Sequence, residues 1–126
     1  MAEKRSLQLE SVVLDCPEPL ALAAFYNELL GWNGVEGDDN WATVTGPGPG
    51  GGTVSFQRDP GFRAPTWPEG ERPQMLHLDI RVDDIDVEHE RTVALGARPL
   101  GETQGTSNNG FRVYADPAGH PFCLVA

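Results

Sequence analysis

The stretch MLHLDIRVDDIDVEHERTVALGA, residues 75–97, decides the fold of this chain. Residues 76–82 alternate between apolar and polar side chains, which is typical of a strand with one buried face. Asp83 or Asp84 then predicts the start of a helix, because a carboxylate there accepts hydrogen bonds from the free amides of the first turn. Gly96 predicts the end of that helix. The stretch therefore forms a strand, a turn and a helix, with His77 inside the strand.

The same plan occurs earlier in the chain. Residues 6–16 predict a strand, the proline pair in PEP at 17–19 opens a helix, and Gly31 closes it. A shift of 66 residues places Ser11 on His77 and Gln57 on Cys123. Further strands are predicted at 41–45, 53–57, 97–101, 111–115 and 120–125, with a polar loop at 102–110. The pattern therefore predicts the element order βαβββ for each half, although the polar residues 33–40 leave little room for the third strand of the first half.

These patterns predict one α+β domain over residues 1–126. Module one covers about 6–58, a linker covers about 59–74, and module two covers about 75–126. The linker is rich in proline and contains two large aromatic residues, Phe62 and Trp67. They either anchor the crossing chain to the body of the domain or form a lid over a groove.

Composition restricts the partners. Nine basic and nineteen acidic residues give a formal net charge of −10, which disfavours nucleic acid and anionic membrane surfaces and favours a cationic ligand. No apolar run is long enough to span a membrane, and the N-terminus has no apolar signal segment, so we expect a cytoplasmic protein. Cys16 and Cys123 lie apart in apolar strands, which predicts reduced, buried thiols.

Three motifs resemble the glyoxalase, bleomycin-resistance and extradiol-dioxygenase superfamily, also called vicinal oxygen chelate proteins. They are FY at 25–26 with LGW at 30–32, HLDIRVDD at 77–84, and DPAGHPF at 116–122. The resemblance implies two βαβββ modules that form a curved mixed sheet around a cleft, usually completed by a second subunit. It is less specific for function, because the superfamily holds both metalloenzymes and metal-free drug-binding proteins.

The resemblance also implies where a metal would bind. Metalloenzyme members place histidine or glutamine on the first strand of each module and glutamate on the last, and these positions here are Ser11, Gln57, His77 and Cys123. This set has one imidazole and no carboxylate, which is a poor match for an octahedral metal site. We therefore expect no metal and no catalytic residue; a bound divalent transition metal would use His77, Gln57 and Cys123.

The sequence favours a metal-free, homodimeric protein that sequesters a hydrophobic or cationic natural product, as the antibiotic-resistance members do. The alternatives are a metal-dependent lyase, isomerase or dioxygenase of the glyoxalase type with an atypical ligand set, and a regulatory dimer with a vestigial cleft. Aromatic side chains at strand starts and in the linker are candidates for stacking on a planar ligand. The predicted ligand-binding cleft consists of Ser11, Trp41, Gln57, Trp67, His77, Asp79, Phe111 and Cys123.

Overall fold

The computed structural model describes residues 5–48 and 51–126. Its first half contains β1 (Val12–Cys16), α1 (Pro19–Leu30), β2 (Val35–Gly37), β3 (Trp41–Thr45) and β4 (Thr53–Arg58). Its second half contains β5 (Leu78–Arg81), α2 (Ile85–Ala94), β6 (Arg98–Pro99), β7 (Gln104–Thr106), β8 (Asn109–Ala115) and β9 (Pro121–Val125). Within the described ranges, neither helix is long and apolar enough to cross a membrane.

The strands form two mixed sheets, one for each half. The first has the order β1-β4-β3-β2, and the second has the order β5-β9-β8-β6 with β7 paired to β8. In each sheet the first strand pairs in parallel with the last, and the other pairs are antiparallel. The predicted α+β class with two repeated modules is confirmed.

Several predicted boundaries were wrong. The first strand begins at Val12 and not at residue 6, and His77 lies just before β5 and not inside it. The segment 33–40 does contain a strand, β2, because pairing between Val35 and Val44 compensates for its polar composition. The predicted loop at 102–110 contains β7 and the start of β8, which pair as a hairpin across the turn at 107–108.

Helix α1 packs against both halves of the molecule. The Tyr26 ring stacks on Phe56 of the first sheet with 5.6 Å between centroids, and it meets Phe122 of the second sheet edge-on at 6.1 Å. Phe25 also contacts Phe122, with 6.0 Å between centroids. Because all four rings are buried, one apolar core spans both modules.

The register of the parallel pair differs between the two sheets. Leu14 is paired with Phe56 in the first sheet, whereas Leu78 is paired with Phe122 in the second. The sequence separation of paired residues is therefore two residues longer in the second sheet. One shift in residue number cannot place both β1 on β5 and β4 on β9. When the last strands are matched, the counterpart of His77 is Val13 and not Ser11.

Candidate functional site

Three polar side chains meet on the solvent-facing side of the second sheet. Asp79 and Cys123 are direct neighbours in the β5–β9 pair, and His77 lies two residues before Asp79 on the same face. The Nε2 atom of His77 is 3.1 Å from Oδ1 of Asp79, and the donor atoms of all three residues lie within 4.8 Å of one another. We call His77, Asp79 and Cys123 the His77 cluster.

The two thiols are not activated nucleophiles. Burial, the negative charge of Asp79 and a hydrogen bond to its carboxylate raise the pKa of Cys123 to about 11. Burial is also the main reason why the pKa of Cys16 is about 11. Both cysteines are free and buried, as expected from the sequence. At neutral pH both are therefore protonated thiols.

Ser11 and Gln57 belong to the first sheet. Ser55 donates to Oγ of Ser11 over 3.3 Å and is bonded to Thr43, which accepts from Nε1 of Trp41. Gln57 is exposed between β1 and β3, where its paired neighbours are Asp15 and Trp41. Within residues 5–48 and 51–126, no side-chain hydrogen bond or ion pair connects Ser11 or Gln57 with the His77 cluster.

The three candidate aromatic residues have different environments. Trp41 is 43% exposed and Phe111 is 44% exposed, each on the side of its sheet that faces away from the core. Trp67 is half-buried in the linker. Trp41 and Phe111 are therefore available for stacking on a flat molecule.

A groove of about 480 Å³ lies between the linker, β1 and the start of β9. We call it the linker groove. Trp67 does not line it, but Phe62 does, and Phe62 also packs on the ring of His120 with 5.1 Å between centroids. The apolar side chains of its lining are Val13, Leu14, Phe62, Pro65, Pro73, Met75, Leu76 and Pro121.

The linker is held against the turn at 116–119. Ala64 packs so closely on Gly119 that a Cβ added at position 119 would lie 2.6 Å from the Ala64 side chain. Within the linker, Nε of Arg72 donates to the carbonyl of Ala64 over 2.7 Å. Only glycine fits at position 119, where φ is 102°. Phe62, which packs on His120, adds to this attachment and so has the anchoring role that was one of the two roles predicted for the linker aromatics.

A buried node centred on Asp116 joins the modules, and the sequence did not indicate it. Asp116 accepts hydrogen bonds from the hydroxyl of Tyr26 over 2.6 Å and from the backbone amides of residues 118–120. His120 is 2.9 Å from the same carboxylate through Nδ1 and 2.8 Å from the carbonyl of Asp15 through Nε2. The DPAGH motif predicted a turn, but Tyr26 is 90 residues away in sequence and carries no local signal.

Comparison with known proteins agrees with this architecture. The family model "Glyoxalase-like domain" matches residues 11–125. The chain belongs to the glyoxalase-like domain family. No curated protein sequence matches it significantly.

Solved structures share the glyoxalase-like fold at low sequence identity. A glyoxalase family protein from Bacillus cereus is 21% identical, with a TM-score of 0.70 and coverage of 98% of this chain and 96% of that one. A glyoxalase-related enzyme from Fulvimarina pelagi is 22% identical, with a TM-score of 0.67 and coverage of 94% and 86%. A glyoxalase/bleomycin resistance protein/dioxygenase family enzyme from Burkholderia phytofirmans is 16% identical, with a TM-score of 0.68 and coverage of 91% and 94%.

The family resemblance implies a divalent metal in the enzyme members, and such a metal requires imidazole and carboxylate donors. The four positions Ser11, Gln57, His77 and Cys123 do not fit it, because they provide one imidazole and no carboxylate. The His77 cluster offers a different set, since Asp79 adds a carboxylate beside the imidazole and the thiol. Such a set fits a thiophilic ion better than an oxygen-preferring one.

Proposed function

We propose that this glyoxalase-like domain binds a hydrophobic or cationic small molecule, such as a natural product, and holds it without chemical change. The observation that carries the proposal is the linker groove. Its volume of about 480 Å³ is within the usual range for small-molecule sites, roughly 300–1,000 Å³.

Exposed apolar side chains line this groove. Met75 is 93% exposed, Leu76 is 50% exposed and Val13 is 38% exposed. Apolar surface of this kind gains free energy when a ligand covers it, at roughly 25 cal/mol for each Å² removed from water. The hydrophobic part of the proposed ligand therefore has a defined place to bind.

Charge supports the cationic part of the proposal. The charged and titratable groups that line the groove are two carboxylates, Asp15 and Asp59, two guanidinium groups, Arg63 and Arg72, and the imidazole of His120, so the lining itself has no excess of negative charge. The whole chain has a formal net charge of −10, and this excess of negative charge attracts cations to the protein. Binding in the linker groove needs no metal, because its lining does not include the His77 cluster.

The Burkholderia phytofirmans protein is named a glyoxalase/bleomycin resistance protein/dioxygenase family enzyme. For this chain we favour the antibiotic-resistance type of function, in which a drug is sequestered. The residues predicted from the sequence to contact the ligand do not line the linker groove, so their contact with a ligand stays a separate prediction. They are Trp41, Phe111, Trp67, Ser11, Gln57 and the His77 cluster.

A panel of apolar cations, apolar neutral compounds and apolar anions tests the proposal by thermal shift and calorimetry. A ligand present at about 100 times its Kd stabilises the folded state by about 2.7 kcal/mol, which raises Tm by several degrees. The variants Val13→Ser and Leu76→Ser are expected to lose this shift. Val87→Ser is the matched control, because Val87 is 73% exposed on α2 and does not line the groove.

The fate of the ligand separates binding from catalysis. We expect the recovered compound to keep its retention time and fragment spectrum after long incubation with the protein. An altered compound would instead support the metal-dependent lyase, isomerase or dioxygenase. If no compound raises Tm, or if Val13→Ser and Leu76→Ser leave the shift intact, binding in the linker groove is wrong.

We also propose a cytoplasmic homodimer. Free, buried thiols suit a reducing compartment, and exposed apolar side chains outside the groove, such as Leu7 (91% exposed) and Leu9 (82% exposed), suit coverage by a second copy. Light scattering on the purified protein is expected to give twice the mass of one chain; the mass of a monomer at micromolar concentration contradicts this part of the proposal.

A further inference from the structure

We infer that Nε2 of His77, an oxygen of Asp79 and Sγ of Cys123 form a site for one thiophilic divalent ion, such as Zn²⁺ or Co²⁺. This inference goes beyond the proposed ligand binding, because the linker groove and the His77 cluster share no residue. The site also differs from the metal site that the family resemblance implied, which would use His77, Gln57 and Cys123. Here all three donors come from module two, and Asp79 takes the place of Gln57.

The distances suit a four-coordinate ion. Zinc binds nitrogen and oxygen at about 2.0–2.2 Å and sulfur at about 2.3 Å, so tetrahedral donors lie roughly 3.3–3.8 Å apart. The imidazole and carboxylate of the cluster are already 3.1 Å apart, and no donor pair is separated by more than 4.8 Å. An ion between them therefore requires side-chain movements of only about 1 Å.

The backbone holds two of the three donors in place. Asp79 and Cys123 are paired neighbours in parallel strands, and Cys123 is paired on its other side with Val113. Cys123 is 7% exposed, whereas the His77 and Asp79 side chains are 42% and 61% exposed. The thiol thus lies at the buried bottom of the site. The other two donors face the solvent, from which the ion enters.

The chemistry of the donors selects the ion. A thiolate and an imidazole favour Zn²⁺ and Co²⁺ over Mg²⁺ and Ca²⁺, which prefer oxygen ligands. Three protein ligands leave a fourth position for water, as in metal sites with an open coordination position. The ion must displace the proton of Cys123, so its affinity is expected to rise with pH.

The test uses the reduced, chelator-treated, full-length protein. Calorimetry with Zn²⁺ is expected to show one ion per chain, and Co²⁺ is expected to give a thiolate-to-cobalt charge-transfer band. Cys123→Ser should remove the band, and Asp79→Asn and His77→Gln should weaken binding at least tenfold. Cys16→Ser is the matched control and should keep the band, because Cys16 is a buried thiol of β1 outside the cluster.

A second measurement on the unchanged protein does not depend on how the variants fold. Site-resolved mass spectrometry after alkylation is expected to show that Zn²⁺ protects Cys123 and leaves the alkylation rate of Cys16 unchanged. Failure of Co²⁺ to give a thiolate band, survival of that band in folded Cys123→Ser, or equal alkylation of Cys123 with and without Zn²⁺ would each overturn the site. None of these results affects the ligand test in the linker groove.

Discussion

His120 joins the two halves of the chain through both of its ring nitrogens. One nitrogen faces the Asp116 carboxylate and the other faces the Asp15 carbonyl, and both of these groups only accept hydrogen bonds. Both nitrogens must therefore carry a proton for both bonds to form. Burial opposes the charged ring, but the hydrogen bonds and charges of Asp116 and Asp15 outweigh it and raise the pKa of His120 above 6.5.

This geometry predicts that the stability of the protein depends on pH. Because the folded-state pKa of His120 is raised, its contribution to the free energy of unfolding is complete below about pH 6.5, the unfolded value, and is lost as pH rises through the folded-state pKa. We expect His120→Gln to cost about 1–3 kcal/mol at pH 5.5 and less at pH 9. Urea unfolding at the two pH values measures the difference.

The matched control is Val87→Gln, which changes an exposed side chain that does not titrate and lies on α2, outside the Asp116 node. Its loss of stability, if any, should be the same at both pH values. A cost of His120→Gln that stays constant from pH 5.5 to pH 9 contradicts the assignment of a charged ring at position 120.

Helix α2 begins at a single capping carboxylate. Asp84 accepts hydrogen bonds from the amides of Asp86 and Val87 over 2.9 Å and 3.3 Å, and the hydroxyl of Ser107 donates to its other oxygen. The sequence allowed either Asp83 or Asp84, and the structure selects Asp84. The cap thereby links the helix start to the β7–β8 hairpin.

We expect Asp84→Ala to lower the free energy of unfolding by about 1 kcal/mol, because the first-turn amides lose their acceptor. Asp83→Ala is the matched control, since Asp83 is the neighbouring exposed aspartate and does not cap the helix. Chemical denaturation measures both. Equal losses in the two variants would show that the carboxylate acts through general charge and not as a cap.

Local signals in the sequence predicted the helices better than the strands. Pro19 and Gly31 set the ends of α1 through their own backbone preferences, and Gly31 does adopt the left-handed conformation with φ 67°. Strand β2 was only weakly predicted and strand β7 was missed, because their stability comes from pairing with β3 and β8, which is not encoded in their own composition. The same limit applies to the candidate site: the motifs indicated His77 and Cys123, but pairing between β5 and β9 determines that Asp79 meets Cys123.

At the scale of the whole molecule, the shared core predicts one cooperative unfolding transition. All three tryptophans, at 32, 41 and 67, precede module two, so their fluorescence reports module one and the linker. Far-ultraviolet circular dichroism reports both modules. Because Phe122 packs on Phe25 and Tyr26, we expect the two signals to change at the same denaturant concentration.

Phe122→Ala should shift both transitions together to lower denaturant concentration, by the equivalent of about 3–5 kcal/mol. Val87→Ala provides the control, since Val87 is 73% exposed on α2 and lies outside the core. Separate midpoints for fluorescence and circular dichroism would mean that the modules unfold independently.

The unequal strand register has a consequence for protein engineering. A designer who wished to rebuild a symmetric four-ligand centre would follow the sequence repeat and substitute Ser11, but Ser11 is bonded to Ser55 and is not the counterpart of His77. In the strand pairing of the structure, Asp15 is the neighbour of Gln57, just as Asp79 is the neighbour of Cys123. Val13 is therefore the position at which a second histidine would reproduce the His77 arrangement, with its carboxylate partner already encoded.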